Sequence, residues 1–193
     1  MKSESQLGDT ADVLPTGAEW LKAISDEPDG RHEHPAAILH RYLRVSNKLQ
    51  LAFVSHFEKN YAISLSEFRV LVVLHNMGEA ASHEIADVTG ITTMSVSRAV
   101  ASLTRDKRVS MRVDKANRRR KLLKLTAEGR RLVTQMQPAI QVINDIVIGD
   151  MSERARKQFS RVLGEMSQRL DALMADPDAL PPPPRRRRSR AAK

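Results

Sequence analysis

Residues 66–125 combine two structural periods in an order that few folds can accommodate. A helical stretch at 66–76 precedes two further helical segments, at 82–88 and 92–104, which Thr89, Gly90 and Ile91 separate. Two segments of alternating apolar residues then follow, Val109–Val113 and Lys121–Leu125, as expected for a pair of strands. This order predicts a mainly α fold with a small β component (α+β), in which a β-hairpin follows a helix–turn–helix.

Positive charge concentrates in the same part of the chain. Residues 92–131 hold thirteen basic and three acidic side chains, a net charge of +10, whereas the whole chain carries +9. Six more basic residues and no acid lie in 185–193, so the remainder of the chain carries −7. Binding to a polyanion needs a local positive field of this kind. Together with the order of elements, the charge predicts a winged helix-turn-helix that grips duplex DNA.

The chain on either side of this segment divides into four further parts. Residues 1–35 are punctuated by proline and glycine and are expected to form a flexible extension. Residues 36–59 form an amphipathic helix, and 127–174 form long helices that Pro138 should kink and Gly149 should break. Residues 176–193, rich in proline and arginine, are expected to be disordered. The predicted domain therefore spans 36–175, with a DNA-binding part at about 64–126.

Helical spacing and capping preferences predict the positions of individual side chains. The inner stripe of helix 36–59 is expected to run from Ile38 and Leu39 to Phe53 and His56. In the helix predicted at 82–88, Ser82 is the expected N-cap and Val88 is expected to be buried. In the segment 92–104, the positions 96, 99, 100 and 103 form the apolar stripe, which leaves a polar, partly cationic face outside.

Composition excludes several other classes of protein. With no cysteine, the chain has no disulfide, thiolate zinc site or cysteine nucleophile. Aromatic residues make up 4% of the chain, too few for the base-stacking surfaces that bind single-stranded nucleic acid. The amino terminus lacks a signal-peptide core, and no apolar run reaches the ~20 residues of a membrane span. From these two features we expect a cytoplasmic protein. We find no catalytic triad, phosphate loop or paired acids, so we expect that the protein is not an enzyme and needs no cofactor.

Residues 38–173 resemble the MarR family of winged-helix transcriptional regulators. The matching motifs are SEFRVL at 66–71, EIA at 84–86, SVSRAVASL at 95–103, Asn-Arg-Arg at 117–119 and Leu-Thr-x-x-Gly at 125–129. The wing followed by Leu-Thr-x-x-Gly at this spacing is the specific part of the resemblance. Two positions depart from the family pattern: Asn117 replaces the usual aspartate, and Lys107 replaces the usual glycine.

The resemblance implies a homodimer whose long N- and C-terminal helices, 36–59 and 127–174, are dimerisation helices. These helices carry more apolar surface than one small winged helix can bury. A symmetric dimer reads a pseudo-palindromic operator, with half-sites about one helical turn (~10 bp) apart. The family's regulators commonly respond to small aromatic or carboxylate effectors.

The expected DNA contacts lie on the second helix of the helix–turn–helix and on the wing. They are Thr93, Met94, Ser95, Ser97, Arg98, Arg112, Asn117, Arg118, Arg119 and Arg120. The serines either reach base edges or touch phosphates alone, and Arg98 either reads a guanine or clamps a phosphate. Arg119 either enters the minor groove or props the wing internally. Arg112, Arg120 and Lys121 either contact phosphates or form a solvated face.

The family's effector pocket suggests a second set of residues, Tyr42, Asn47, Phe53, His56 and Arg69, for which plain core packing is the alternative. The function predicted is a homodimeric repressor released by a small ligand. A non-specific architectural DNA-binding protein and a zinc-responsive regulator are the alternatives, the latter because His32 and His34 form a short chelating string. The tail at 185–193 either adds non-specific DNA affinity or only solubilises the chain.

Overall fold

The computed structural model describes residues 35–176 and 178–180, so the predicted extension and most of the predicted tail lie outside the described residues. The chain separates into two units, one ending at Met136 and the other starting at Gln137. Most described residues are helical, and a small antiparallel sheet completes the fold. The elements of the first unit, in chain order, are α1 (Pro35–Tyr61), α2 (Leu65–Met77), β1 (Glu79–Ala80), α3 (Ser82–Thr89), α4 (Thr93–Arg105), β2 (Val109–Val113), β3 (Lys121–Leu125) and the start of α5 (Ala127–Asn144).

Local side-chain chemistry sets where these helices begin. Ser64 caps α2 in a capping box with Glu67, and Thr92 caps α4 by accepting the backbone N–H of Ser95. The prediction that Ser82 caps α3 is wrong: Ala81 occupies the cap position, and a carboxylate oxygen of Glu84 accepts its backbone N–H at 2.6 Å. Since Glu84 supplies the capping interaction, the helix begins at Ser82 without a capping hydroxyl.

The core of the first unit lies between α2, α4 and the sheet. Its fully buried side chains include Leu71, Leu74, Ile85, Leu103 and Leu123. The predicted inward stripe of α4 (Val96, Ala99, Val100 and Leu103) is buried, as its 3.6-residue spacing requires.

Two expectations about burial are wrong. Val88 is 64% exposed, since α3 turns it away from the core that Ile85 and Ala86 enter. In α1 the chain buries Phe57, and the neighbouring His56 is exposed. Phe57 stacks on Phe68 of α2 with ring centroids 4.9 Å apart, so the aromatic contact decides which residue faces inward.

The hairpin follows the prediction residue for residue, but the sheet contains a strand that the sequence pattern did not reveal. Strands β2 and β3 pair antiparallel, with Val113 opposite Lys121 and Val109 opposite Leu125. The two-residue strand β1 pairs with the other edge of β3 and gives the order β1-β3-β2. Two residues are too few to show an alternation, so this strand forms only through tertiary pairing.

The Leu-Thr-x-x-Gly motif joins the end of α4 to the start of α5. The Thr126 hydroxyl donates to the carbonyl of Lys107 at 2.7 Å and accepts the backbone N–H of Gly129 at 3.1 Å. The Thr126 backbone N–H donates to the Arg108 carbonyl at 3.1 Å. At Gly129 the helix passes so close to Arg108 that an added Cβ would lie 2.1 Å from its carbonyl oxygen. The motif therefore fixes the hairpin and α5 to the end of the helix–turn–helix.

Lys107 adopts the left-handed conformation at φ 58, in the position where the resemblance expects glycine. A left-handed residue costs a non-glycine side chain about 1–2 kcal/mol, and glycine costs about 0.5–1 kcal/mol in chain entropy. We therefore expect Lys107→Gly to stabilise the fold by about 0.5 kcal/mol or more and to raise the melting temperature by about 2 °C. Lys115→Gly, at a position without positive φ, is the matched control and should lower it. A lower melting temperature for Lys107→Gly in thermal denaturation would contradict this account.

The second unit contains the rest of α5 and the whole of α6 (Glu153–Ala175). Ser152 caps α6, as predicted. Pro138 lies inside α5. The α-helical part of α5 ends at Asn144. A π-helical segment, Asp145–Gly149, follows and ends at Gly149, where the break was predicted. None of the side chains of α6 is buried in the single chain.

Candidate nucleic-acid interface

Helix α4 presents a continuous exposed face opposite its buried stripe. Thr93, Met94, Ser97 and Arg98 are all exposed, and Arg105 continues the same face by one more turn. Ala101, which the sequence analysis did not single out, is also exposed on this face. Its small side chain lets the helix approach a surface closely, and a methyl group is a suitable contact for thymine. One face therefore anchors the helix, and the other offers hydrogen-bond donors, acceptors and cations.

Ser95 differs from the other candidates on α4. It is half-buried, and its hydroxyl lies 2.9 Å from the hydroxyl of Thr92, the cap of the same helix. The backbone N–H of Ser95 also donates to Thr92. The structure thus gives Ser95 a capping interaction, and contact with a base would have to share or break it.

A polar cleft of roughly 330 Å³ separates the start of α2 from α4. Arg98, Ser95 and Ser102 line it from α4, and the buried Glu67 lines it from α2. A carboxylate oxygen of Glu67 accepts the backbone N–H of Ser64 at 2.7 Å and its hydroxyl at 2.8 Å. The cleft thus carries a firmly held carboxylate behind the exposed face of α4.

The pKa of the Glu67 carboxyl is lowered from 4.5 although burial alone would raise it, because hydrogen bonds from Ser102 and Ser64 outweigh burial. The charge of Arg108 lowers the pKa further. A lowered pKa means that the ionised carboxylate stabilises the fold above about pH 4.5, and that this stabilisation is lost as the pH falls through the folded-state pKa.

We expect Glu67→Gln to lower the free energy of unfolding at pH 7 by about 1–2 kcal/mol, since one hydrogen-bonded charge is lost. The variant should also lose less stability than the wild type when the pH falls below 4.5. Urea denaturation from pH 3 to 7 measures both effects. Glu165→Gln on the exposed surface of α6 is the control, and it should change the stability at pH 7 by less than about 0.5 kcal/mol. Parallel pH profiles for Glu67→Gln and the wild type would contradict this role.

The tip of the wing, residues 114–120, is held by its own backbone. The Asp114 N–H donates to the Arg120 carbonyl at 2.9 Å, and the Arg120 N–H donates to the Asn117 carbonyl at 2.8 Å. The side-chain oxygen of Asn117 accepts the Arg119 N–H at 3.1 Å, so this residue shapes the turn through a hydrogen bond without a charge. Asn117, Arg118 and Arg119 are exposed at the tip, which leaves both arginine side chains available to a partner.

Two other wing arginines form ion pairs that the sequence did not predict. Arg112 donates to Glu79 of β1 at 2.6 Å, and Lys124 lies 3.5 Å from the same carboxylate. Arg120 donates to Glu84 of α3 at 2.5 Å and to Asp114 at 3.4 Å. The local charge count could not reveal the pairs with Glu79 and Glu84, because these two acids precede the basic segment. No capping-box signature marks Glu84 in the sequence, because Ala81 lacks the side-chain oxygen that this motif requires.

These pairs also shift the acids electrostatically. The hydrogen bond from Arg112 lowers the pKa of Glu79, and the positive charge of Lys124 adds to the effect. The backbone N–H of Ala81, followed by the guanidinium of Arg120, lowers the pKa of Glu84. Both carboxylates therefore stay ionised at neutral pH beside the basic wing.

A groove of roughly 800 Å³ lies between the wing and the starts of α3 and α4. Its polar lining is Ser82, His83, Glu84, Thr93, Asn117, Arg119, Arg120 and Lys121. Residues from the helix–turn–helix and from the wing thus face the same space. A basic groove of this kind, bordered by hydroxyls and helix starts, suits the sugar–phosphate backbone of a nucleic acid.

The residues predicted for an effector pocket differ in burial in the described part of the chain. Phe53 is half-buried in an aromatic cluster, and its ring centroid lies 5.1 Å from that of Phe68. Arg69, the next residue after Phe68, is also half-buried. Tyr42 and Asn47 are exposed on α1, and the exposed His56 meets Phe57 edge-on at 5.1 Å. His56 is therefore not the core residue that its place in the stripe predicted.

Two further features of the described residues concern other classes of function. In residues 35–176 and 178–180, no three histidine, cysteine, aspartate or glutamate side chains come together in a way that could hold a metal ion. His32 and His34, the predicted chelating string, lie outside the described residues. Among the helices of this same part of the chain, none combines the length and apolar character needed to cross a membrane.

Comparison with known proteins places this geometry among transcriptional regulators. The model of the MarR family matches residues 63–120, which cover the helix–turn–helix, strand β2 and the tip of the wing. The chain is also similar to the solved structure of BpsR from Bordetella bronchiseptica, whose DNA binding is regulated by 6-hydroxynicotinic acid. The identity is 25% and the TM-score 0.59, over 67% of this chain and 98% of the other. No curated protein matches the sequence.

Two further structures share the fold at lower identity. The S. aureus MepR–DNA complex is 22% identical with a TM-score of 0.60, over 68% of this chain and 94% of the other. CouR from Rhodococcus jostii RHA1, solved with p-coumaroyl-CoA, is 20% identical with a TM-score of 0.62, over 67% of this chain and 91% of the other. The mainly α fold with a small winged hairpin is therefore that of known regulators.

Proposed function

We propose that this chain is a winged-helix transcriptional regulator of the MarR family, and that it acts as a homodimeric, sequence-specific repressor that a small aromatic or carboxylate ligand releases from DNA. The observation that carries the proposal is the two-sided structure of α4. Four apolar residues fix one face in the core, and the opposite face holds exposed Thr93, Met94, Ser97 and Arg98. A helix of this kind can enter a major groove without losing its anchor.

We assign the DNA contacts to two sets of side chains. The exposed face of α4 meets base edges in the major groove, with Arg98 as its cation. The tip residues Asn117, Arg118 and Arg119 reach the neighbouring minor groove or its backbone. Ser95 is secondary, because its hydroxyl already interacts with Thr92.

The dimer is proposed from apolar surface that the single chain leaves uncovered. On α1, the side chains of Ile38, Leu39, Tyr42, Val45 and Leu49 are exposed. On α6, the side chains of Phe159, Val162, Leu170 and Leu173 are exposed and share one stripe. Contiguous apolar stripes of this kind mark protein–protein interfaces. Residues 36–59 and 127–174 are accordingly the proposed dimerisation helices, and 64–126 the proposed DNA-binding part.

The effector proposal draws on the ligands of the similar proteins and on the aromatic cluster around Phe53. The stacked rings of Phe53, Phe57 and Phe68 offer an apolar surface, and Arg69, which follows Phe68 in the chain, supplies a half-buried cation; this combination suits an aromatic carboxylate. Release then follows if the ligand binds better to a dimer whose two reading helices no longer match the half-sites. Natural first probes are 6-hydroxynicotinic acid and p-coumaroyl-CoA, added to the preformed protein–DNA complex.

Selection from a pool of random duplex DNA tests the proposed function. We expect the full chain to enrich a two-fold symmetric motif whose half-sites lie about 10 bp apart. An enriched motif without symmetry would contradict the homodimer. A pool that stays random while the protein binds it in a salt-sensitive manner would contradict specificity and favour the architectural alternative.

A further inference from the structure

The groove between the wing and the helix–turn–helix contains a side chain of the wrong sign for binding DNA. Glu84 is the carboxylate among the residues that line it, next to Arg119, Arg120 and Lys121. A negative charge at this place repels phosphate and weakens association with DNA. Its presence therefore calls for a structural role that outweighs the repulsion.

Glu84 connects two elements through its two carboxylate oxygens. One oxygen accepts the Ala81 N–H at 2.6 Å and caps α3. The other accepts a guanidinium N–H of Arg120 at 2.5 Å, and Arg120 also reaches Asp114 at 3.4 Å. Arg120 thus connects the tip of the wing to the first helix of the helix–turn–helix. Its Nε is buried and makes no hydrogen bond to any described residue, so the guanidinium faces the protein.

We propose that Glu84 and Arg120 form a clamp that sets the position of the wing, and that Arg120 acts as a positioning residue for DNA binding. Beyond the two residues of β3 that pair with β1, the wing is a two-stranded hairpin, and such a hairpin has little stability of its own. The clamp fixes it at the start of α3, so that Arg118 and Arg119 are held in place before DNA arrives. The inference rests on the proposed DNA-binding function and adds a role that direct phosphate contact does not predict.

The two possible roles of Arg120, phosphate contact and positioning of the wing, predict different changes in DNA affinity for the substitution Glu84→Gln. Glu84→Gln keeps an oxygen that can accept the Ala81 N–H, and it removes the charge that holds Arg120. If Arg120 only contacts phosphate, removing a nearby acid should leave affinity unchanged or raise it. If the clamp positions the wing, affinity should fall, by about tenfold for the loss of one charge-assisted hydrogen bond.

The experiment measures the affinity of the full chain for the selected duplex and for a scrambled duplex, in the wild type, Glu84→Gln, Arg120→Gln and the double variant. Asp87→Asn is the matched control, because Asp87 is an exposed acid on the same helix. We expect Glu84→Gln to bind both duplexes about tenfold more weakly, as one charge-assisted hydrogen bond predicts, and Asp87→Asn to bind as tightly as the wild type or more tightly. In the Arg120→Gln background, Glu84→Gln should cause no further loss, since its partner is gone.

Thermal denaturation of each variant separates a loss of folding from a loss of positioning. Wild-type affinity in a folded Glu84→Gln variant would overturn the clamp, as would a further loss in the double variant. If the wild type binds both duplexes equally, the proposed sequence-specific function is contradicted, whatever the variants show about the clamp. The comparison of variants still decides the clamp in that case, because the wing meets the backbone of any duplex. A wild type that binds neither duplex would overturn both proposals.

Discussion

Gly129→Ala should destabilise the fold by about 3 kcal/mol or more, the largest effect that we expect from a single added methyl group. The new Cβ would lie 2.1 Å from the carbonyl oxygen of Arg108 and 3.3 Å from a methyl carbon of Leu125. The first neighbour is backbone and cannot move aside by rotating a side chain. Because Thr126 ties the same carbonyl to the start of α5, relief of the clash requires that this junction opens.

Thermal denaturation measures this effect directly. For a chain of this size, the destabilisation corresponds to a fall of about 10 °C in the melting temperature. Gly164→Ala is the matched control: the same change in a helix, at a position where no atom lies within 4 Å of the new Cβ. It should leave the melting temperature unchanged or raise it, since alanine favours helices. Equal behaviour of the two variants would show that the contact at Gly129 is not tight.

Arg98→Ala should reduce the affinity for the selected duplex by about 100-fold, because a guanine contact contributes about 1–3 kcal/mol in each half-site. Arg98 is exposed on the outer face of α4. Fluorescence anisotropy at fixed salt measures the loss. Arg169→Ala on α6 removes the same charge from the second unit and should have little effect.

Arg98→Lys separates the two possible roles of this side chain. Lysine keeps the charge and loses the planar fork that pairs with guanine. If Arg98 reads a base, the lysine variant should lose discrimination at one position of each half-site. If it clamps a phosphate, affinity should fall slightly and uniformly over all sequences. Unchanged binding by both variants would remove Arg98 from the interface.

Much of the fold could be predicted because its local signals agree with its tertiary structure. The stripe at 96, 99, 100 and 103 has helical spacing, and α4 is anchored by these residues. The two hairpin strands have the predicted bounds, since their alternation extends over five residues each. The resemblance marked Lys107 as a replacement for the family's usual glycine, and the residue takes the left-handed conformation that its side chain disfavours.

The remainder depended on tertiary contacts that leave no local pattern. A period of 3.6 cannot decide between His56 and Phe57, and the ring of Phe68 on the next helix makes the choice. The strand β1 is too short to show an alternation. At the site, the sequence provided the basic residues but could not tell that Arg112 and Arg120 face acids from other elements.

The central claim is that this chain distinguishes one duplex from another. The most direct test is fluorescence anisotropy of the full chain against the selected duplex and against a scrambled duplex of equal length, at near-physiological salt. The account predicts a preference of about a thousandfold or more, as is typical of specific DNA-binding proteins. Equal affinity for the two duplexes, falling steeply with added salt, would contradict it.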